Sequence, residues 1–167
     1  GDTMQYTCSY SSPLGEMLIA SDGSAVTGLW FIGQKYFGST LEAEYAEKAL
    51  PLFGQTVRWL DDYFQGNVPM EMPPVSFNSS SFRIRVWKLL MEIPYGHTVT
   101  YGEIARTLEK QTGRRICAQA VGGAVGHNPV SIIVPCHRVI GSNGLTGYAG
   151  GLDKKLALLR LEGVNVH

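Results

Sequence analysis

Cys136 stands between Pro135 and His137, with Arg138 next, in the run Asn128-Pro-Val-Ser-Ile-Ile-Val-Pro-Cys-His-Arg-Val-Ile140. A cysteine acts as a nucleophile in its thiolate form, and an adjacent imidazole and guanidinium favour that form. Adjacency alone does not decide the matter, because a free cysteine in an apolar run also serves as a small buried hydrophobe. The residues before Pro135, Ile132 to Val134, read as a short buried strand. Proline has no amide hydrogen to donate, so that strand is expected to stop at Pro135 and leave the thiol at its mouth.

Other residues with chemical potential lie on both sides. A basic turn, Lys110-Gln-Thr-Gly-Arg-Arg115, precedes a stretch almost without side chains: Ala118, Ala120, Gly122, Gly123, Ala124 and Gly126. Each glycine in a helix interior costs about 1 kcal/mol relative to alanine, so this smoothness carries a penalty. Close packing against another element accounts for it, and so does close approach to a nucleic-acid backbone. Downstream of the thiol, Gly141-Ser-Asn-Gly-Leu-Thr-Gly-Tyr-Ala-Gly-Gly151 lacks the Lys-Ser/Thr ending of a phosphate-binding loop and reads as a pocket wall. Tyr101, Asn128 and Glu162 each have an ordinary reading as well: a half-buried aromatic at a helix start, a turn residue before proline, and a solvated helix end.

The elements that must position these groups follow from pattern. Gln5 to Tyr10, Glu16 to Ala20 and Val26 to Ile32 read as strands of a small antiparallel sheet, with turns at Ser11–Gly15 and Ser21–Ser24. Thr40 is expected to cap a helix over Leu41 to Leu50, which Pro51 restarts or kinks. Leu52, Val57, Leu60 and Phe64 predict a second helix ending near Gly66. The stretch Asn67 to Ser80, with Pro69, Pro73 and Pro74, reads as a linker. The expected domains are therefore residues 1–79 and 80–167. In the second, Ser81 is expected to cap a helix with an apolar stripe of Val86, Leu89, Leu90 and Ile93. Thr100-Tyr-Gly-Glu103 fits a capping box. The helix it opens, the basic turn and the Gly/Ala helix together read as a helix-turn-helix. Leu152, Leu156 and Leu159 mark a last helix closed by Gly163.

Composition bounds the function. At 167 residues the chain supports one good core or two small ones. Its formal charge of zero conceals an asymmetry, since residues 1–79 carry three basic and nine acidic side chains and residues 80–167 carry eleven and five. A basic half beside an acidic half points to a polyanionic partner for the second. The three cysteines, Cys8, Cys117 and Cys136, are widely spaced, which argues against a disulfide framework and against a zinc site. A reducing cytoplasm is the expected compartment, with neither signal peptide nor membrane span. A monomer is the default expectation, and no cofactor or metal is expected.

The motif Pro135-Cys-His-Arg-Val139, the upstream Asn128-Pro129 and the downstream Gly147-Tyr-Ala-Gly-Gly151 resemble those of the O6-alkylguanine-DNA alkyltransferases, the methylated-DNA–protein-cysteine methyltransferases. The likeness runs in order from about Ser81 to Gly163, through Tyr95-Gly96, Val99-Thr-Tyr101, Ala120-Val-Gly-Gly123 and Leu161-Glu-Gly163, and is looser before that, at Ser12-Pro-Leu-Gly15. It implies an α+β chain, with a ribonuclease H-like N-terminal domain and a mostly helical C-terminal domain carrying a winged-helix-like helix-turn-helix.

The resemblance implies direct repair of duplex DNA. An alkyl group passes from O6 of guanine, and less efficiently from O4 of thymine, to Cys136, once per molecule, after the base is flipped out of the stack. It implies a relay from Cys136 through water and His137 to Glu162, a proton from Tyr101 to N3 of the guanine, and Asn128 bonding near the cysteine. Tyr148 would stack on the flipped base, while the amides of Ala149 and Gly150 and the carbonyls of Cys136 and Val139 read its edge. The helix bearing Ala118, Ala120 and Gly123 would enter the minor groove. Arg114, Arg115 and Arg138 are candidates for phosphate contacts, although Arg138 alternatively pairs with a carboxylate. Many relatives insert an arginine into the stack where this chain has Gln119, so flipping here is expected to lean more on the tyrosine and on phosphate contacts. The alternatives are a lesion-binding relative that does not transfer, against which Cys136 itself counts, a cysteine hydrolase, and a plain DNA-binding regulator.

Overall fold

The computed structural model describes residues 4–166. The chain divides into two units, residues 1–77 with 129–131, and residues 78–128 with 132–167.

The first unit is a four-stranded sheet and one helix. Strands β1 (Gln5–Ser12), β2 (Gly15–Ser21) and β3 (Val26–Phe31) form an antiparallel meander. The β1–β2 turn is held by the Ser12 hydroxyl, which donates to the Gly15 carbonyl at 2.7 Å and accepts from the Leu14 amide at 3.1 Å. Met17, Ile19, Leu29 and Trp30 are fully buried. Trp30 lies across Gly28 two residues back on the same face, where a Cβ would come within 2.0 Å of the indole, so only glycine fits. Helix α1 (Pro51–Phe64) starts with proline in its first turn, where no amide partner is lost. It buries Phe53, Thr56, Trp59, Leu60 and Tyr63 along one stripe. The Tyr10 hydroxyl of β1 donates to Asp61 of this helix at 2.7 Å.

Two expectations fail in this unit. Residues 41–50 form no helix; Tyr45–Glu47 is instead a short strand, β4, and it pairs in parallel with β1, so the sheet is mixed, in the order β3-β2-β1-β4. The reason lies in buried Gln5, whose side-chain amide donates to the Thr40 carbonyl and accepts from the Glu42 amide, taking backbone groups a helix start would need. Thr40 donates its hydroxyl to the Thr27 carbonyl rather than capping.

The second unit is helical. Helix α2 (Ser81–Leu90) is capped by Ser80, one residue before the expected cap, and buries Val86, Trp87 and Leu90. The Trp87 indole donates to the Ala124 carbonyl at 2.8 Å and so ties α2 to α4 (Ala118–Gly126). Helix α3 (Tyr101–Thr112) begins as expected at Thr100, whose hydroxyl accepts from the Glu103 amide, and stops at Gly113 in the left-handed conformation with φ 69°. Strands β5 (Val99–Thr100) and β6 (Val139–Ile140) pair in parallel, which anchors the start of α3 beside the end of the cysteine motif. The last helix is α5 (Leu152–Leu161). Of the three leucines that mark it, Leu159 is buried, Leu156 half-buried and Leu152 exposed; Lys155 and Leu158 complete the buried face and buried Glu162 ends the helix, so charged residues mark both ends of that face. Ile132 to Val134 are buried but form turns, not a strand, and Ile132 holds φ 69°, a costly conformation for a β-branched residue. No helix among the described residues is long and apolar enough to cross a membrane.

Candidate active site and nucleic-acid interface

Cys136 opens a single 3-10 turn, Cys136–Arg138, and its amide donates to the Val134 carbonyl at 2.8 Å. The Asn128 side chain donates to the same carbonyl at 2.9 Å and also hydrogen-bonds the thiol. Asn128 thus fixes the approach to the cysteine by bridging a six-residue loop. Burial pushes the Cys136 thiol above its ordinary pKa, against the Asn128 hydrogen bond and the nearby charge of Lys155, which pull it down. The resting group is therefore a thiol, contrary to the expectation of a setting that favours thiolate, because loss of hydration outweighs the neighbouring dipoles and charge.

His137 is fully buried, and its Nε2 lies 2.6 Å from Glu162 Oε2. Burial keeps His137 below its ordinary pKa; Glu162 opposes this without overcoming it, so the ring is neutral at rest. A carboxylate only accepts, so Nε2 carries the hydrogen and Nδ1 is the basic nitrogen. Glu162 accepts in addition from Arg138 Nε at 2.7 Å, Arg138 Nη2 at 3.1 Å and the Gly96 amide at 3.0 Å. Burial alone would raise its pKa, but these donors hold it at about 2.

Arg138 is committed to this network. Its Nη1 donates to the Ile93 carbonyl at 2.7 Å, its guanidinium sits over the Tyr95 ring, and the residue is only 8% exposed. A side chain so engaged does not reach a phosphate, so the DNA-contacting reading of Arg138 is withdrawn in favour of its alternative, pairing with a carboxylate.

Lys155 belongs to none of the motifs in the sequence. It is fully buried, and its ammonium donates to the carbonyls of Val139 at 2.6 Å, Thr146 at 3.3 Å and Gly147 at 3.4 Å. Burial lowers its pKa to about 8, while the nearby Cys136 favours its charged form. The signal was the spacing 155, 158, 159, 162, which marks one helix face, but a lysine and a glutamate on that face defeat a search for apolar residues. The Val139 carbonyl, expected to read a base edge, thus already serves Lys155 with one of its two lone pairs.

Tyr101 is the first residue of α3, and its ring faces Gly122 of α4, where a Cβ would sit 3.9 Å away. Its hydroxyl accepts from the Thr146 hydroxyl at 3.0 Å. Burial raises the phenol pKa, the Thr146 bond lowers it, and the neighbouring Cys136 raises it further, so the phenol keeps its proton at neutral pH. Tyr148, Ala149 and Gly150 lie half-buried in the loop between β6 and α5, and the Tyr148 carbonyl accepts from the Gly151 amide. Ala118, Gln119, Ala120 and Gly123 are exposed on α4, and Arg114 and Arg115 are exposed in the turn before it. The buried side of α4 is Val121, Ala124 and Val125. The helix therefore offers solvent a nearly bare surface flanked by two guanidinium groups.

Comparison with known proteins agrees at both ends of the chain. Residues 81–164 match the family model of the 6-O-methylguanine DNA methyltransferase DNA binding domain, and residues 5–73 match that of its ribonuclease-like domain. The chain belongs to the methylated-DNA–protein-cysteine methyltransferase family. The relative from Mycobacterium tuberculosis strain H37Rv is 45% identical over 90% of this chain and 88% of its own. The relative from Haemophilus influenzae is 39% identical over 96% and 87%. A crystal structure of Mycobacterium tuberculosis O6-methylguanine methyltransferase superposes with a TM-score of 0.81 at 41% identity, covering 95% of this chain and 93% of that one. One of Mycobacterium tuberculosis OGT in complex with DNA superposes with a TM-score of 0.80 at 41% identity, covering 95% and 92%. This methyltransferase thus has the family's α+β architecture, a ribonuclease-like sheet unit followed by a helical DNA-binding domain, and the family's direct-repair activity.

Proposed function

We propose that Cys136 is the acceptor of an alkyl group taken from O6 of guanine in duplex DNA, and that each molecule acts once. The observation that carries this is the buried Cys136 thiol beside a neutral His137 whose Nε2–H is tied to Glu162. His137 takes the thiol proton at Nδ1 through water. The Cys136 sulfur then bonds to the alkyl carbon as the C–O6 bond breaks, its electron pair passing into the guanine. Tyr101 gives its proton to N3, so the base does not leave as a bare anion. A thioether is not hydrolysed, which is why there is one turnover.

The base reaches the thiol by leaving the stack. Exposed Ala118, Ala120 and Gly123 lie against the minor groove, Gln119 fills the space left by the flipped base, and Arg114 and Arg115 contact phosphates. Tyr148, Ala149, Gly150 and the Val139 carbonyl line the base pocket. The protein works as a monomer in the cytoplasm, where its free cysteines stay reduced. A non-transferring lesion binder is the weaker reading because the acceptor thiol is present.

Intact mass before and after incubation with a duplex carrying one O6-methylguanine tests this. A stoichiometric gain of one methylene, mapped to Cys136 and absent in Cys136→Ala, is expected, with a slower gain from O4-methylthymine. Tight binding without any gain in mass overturns it.

A further inference from the structure

We propose that Thr146 is a positioning residue for the transfer: its hydroxyl, donating to the Tyr101 phenol oxygen at 3.0 Å, aims the phenol's own hydrogen at the departing base. The inference rests on the role given above to Tyr101 as proton donor. A phenol oxygen carries one hydrogen and accepts through its lone pairs. N3 of an O6-alkylguanine has a lone pair and no hydrogen, so it only accepts. Tyr101 can then bond both neighbours in one way only, donating to N3 and accepting from Thr146. A hydroxyl in this position keeps the phenol hydrogen from being spent on the protein.

Thr146 is exposed in its loop and is held there at its methyl and at its carbonyl. Its Cγ2 methyl occupies the space where a Cβ on Gly141 would come within 2.7 Å. Gly141 and Gly144 exchange both amide hydrogen bonds, at 2.9 and 3.1 Å, which closes the loop beneath it. Its carbonyl accepts from Lys155 at 3.3 Å. Threonine supplies both the methyl that packs on Gly141 and the hydroxyl that meets Tyr101, which neither valine nor serine does alone. The hydrogen bond also strengthens as the reaction proceeds. The C–O6 electron pair enters the guanine, the phenol proton moves to N3, and the oxygen left behind is phenolate-like until water reprotonates it. A bond donated to a charged acceptor is roughly twice as strong as one to a neutral acceptor, so Thr146 favours the transition state over the ground state.

The test is a double-mutant cycle in single-turnover transfer, with protein saturating over an O6-methylguanine duplex, alongside affinity for the unmodified duplex. Thr146→Val is expected to slow the bound complex about fivefold, the worth of one hydrogen bond, with affinity unchanged. Thr146→Ser is expected to stay within about twofold of wild type, because it keeps the hydroxyl. In a Tyr101→Phe background, Thr146→Val is expected to have no further effect. The proposal is overturned if Thr146→Val matches wild type, if Thr146→Ser is as slow as Thr146→Val, or if the valine slows the Phe background equally, which would make Thr146 a loop brace only. Failure of the underlying reading shows separately, as absence of transfer by wild type itself, and it removes this proposal too.

Discussion

Glu162→Gln changes one oxygen of a fully enclosed carboxylate into an NH2 group, and the geometry dictates two separate consequences. The carboxylate accepts from four donors: His137 Nε2, Arg138 Nε, Arg138 Nη2 and the Gly96 amide. With the remaining oxygen facing Gly96 and Arg138 Nε, the new NH2 faces Arg138 Nη2 and His137 Nε2. Arginine has no acceptor and does not lose its proton, so one contact becomes donor against donor and a buried guanidinium loses its counter-charge. Breaking a buried pair in this way costs about 3–5 kcal/mol, a large part of the roughly 5–15 kcal/mol of a typical domain. The histidine can adapt by moving its hydrogen to Nδ1 and accepting at Nε2. That relieves the clash and removes the base, with an expected loss of about 10²–10⁴ in transfer rate. Urea unfolding and quenched single-turnover transfer read the two effects. Adding Arg138→Met removes the stranded cation, so the double variant is expected to recover at least about 2 kcal/mol of stability while the rate stays low. The reasoning is refuted if Glu162→Gln folds and transfers at the wild-type rate, or if the double variant restores the rate. Acid unfolding adds a check. Glu162 is depressed to about 2 in the folded protein, against about 4.3 for an unperturbed glutamate. Its contribution is thus fully present above the unfolded value and lost as pH falls through the folded one. The glutamine variant is expected to lack that part of the acid dependence.

Lys155→Met removes a positive charge that favours the Cys136 thiolate, so the thiol pKa rises further, the pH–rate profile moves to higher pH and transfer at neutral pH slows. Because the folded protein holds Lys155 at about 8, below its ordinary 10.5, wild-type stability should gain as pH climbs between those values, and the methionine variant should not show that gain. Gly28→Ala drives a Cβ to 2.0 Å from the Trp30 ring, and overpacking of this kind is expected to cost at least about 1–3 kcal/mol by urea midpoint, with the transfer rate constant unchanged. Gln119→Arg adds a longer, charged side chain to the exposed face of α4, so duplex affinity and repair rate are both expected to rise; if both stay unchanged or fall, flipping does not depend on the side chain at that position.

What could be read along the chain was whatever short-range chemistry decides. The caps at Thr100 and near Ser80, the stop at Gly113, proline at the start of α1 and the turn residues on either side of β2 all act within a few residues, so the elements they define are legible. The same locality explains the misses. Residues 41–50 had a plausible cap and a following proline, but Gln5, more than thirty residues away, takes the backbone groups at their start and the segment joins a strand edge. Ile132 to Val134 had the composition of a buried strand, yet composition reports burial and not pairing, and the run is buried as turns.

By itself the sequence determined the two-part α+β plan, the smooth basic-flanked helix α4, and the motif order from Ser81 to Gly163 that resembles the alkyltransferases, because these are written in local propensities and in the order of short motifs. Only the tertiary structure decided the state of the thiol. Cys136 is protonated at rest because burial outweighs Asn128 and Lys155, and the hydrogen of His137 is held on Nε2 by Glu162, 25 residues downstream, which Arg138 and Gly96 also bind. Arg138 and Lys155 look like surface cations in one dimension, but in three both are buried, Arg138 against Glu162 and the Ile93 carbonyl and Lys155 against three carbonyls. The reason is that desolvation and ion pairing depend on what surrounds a side chain from every direction, and a sequence records only what precedes and follows it.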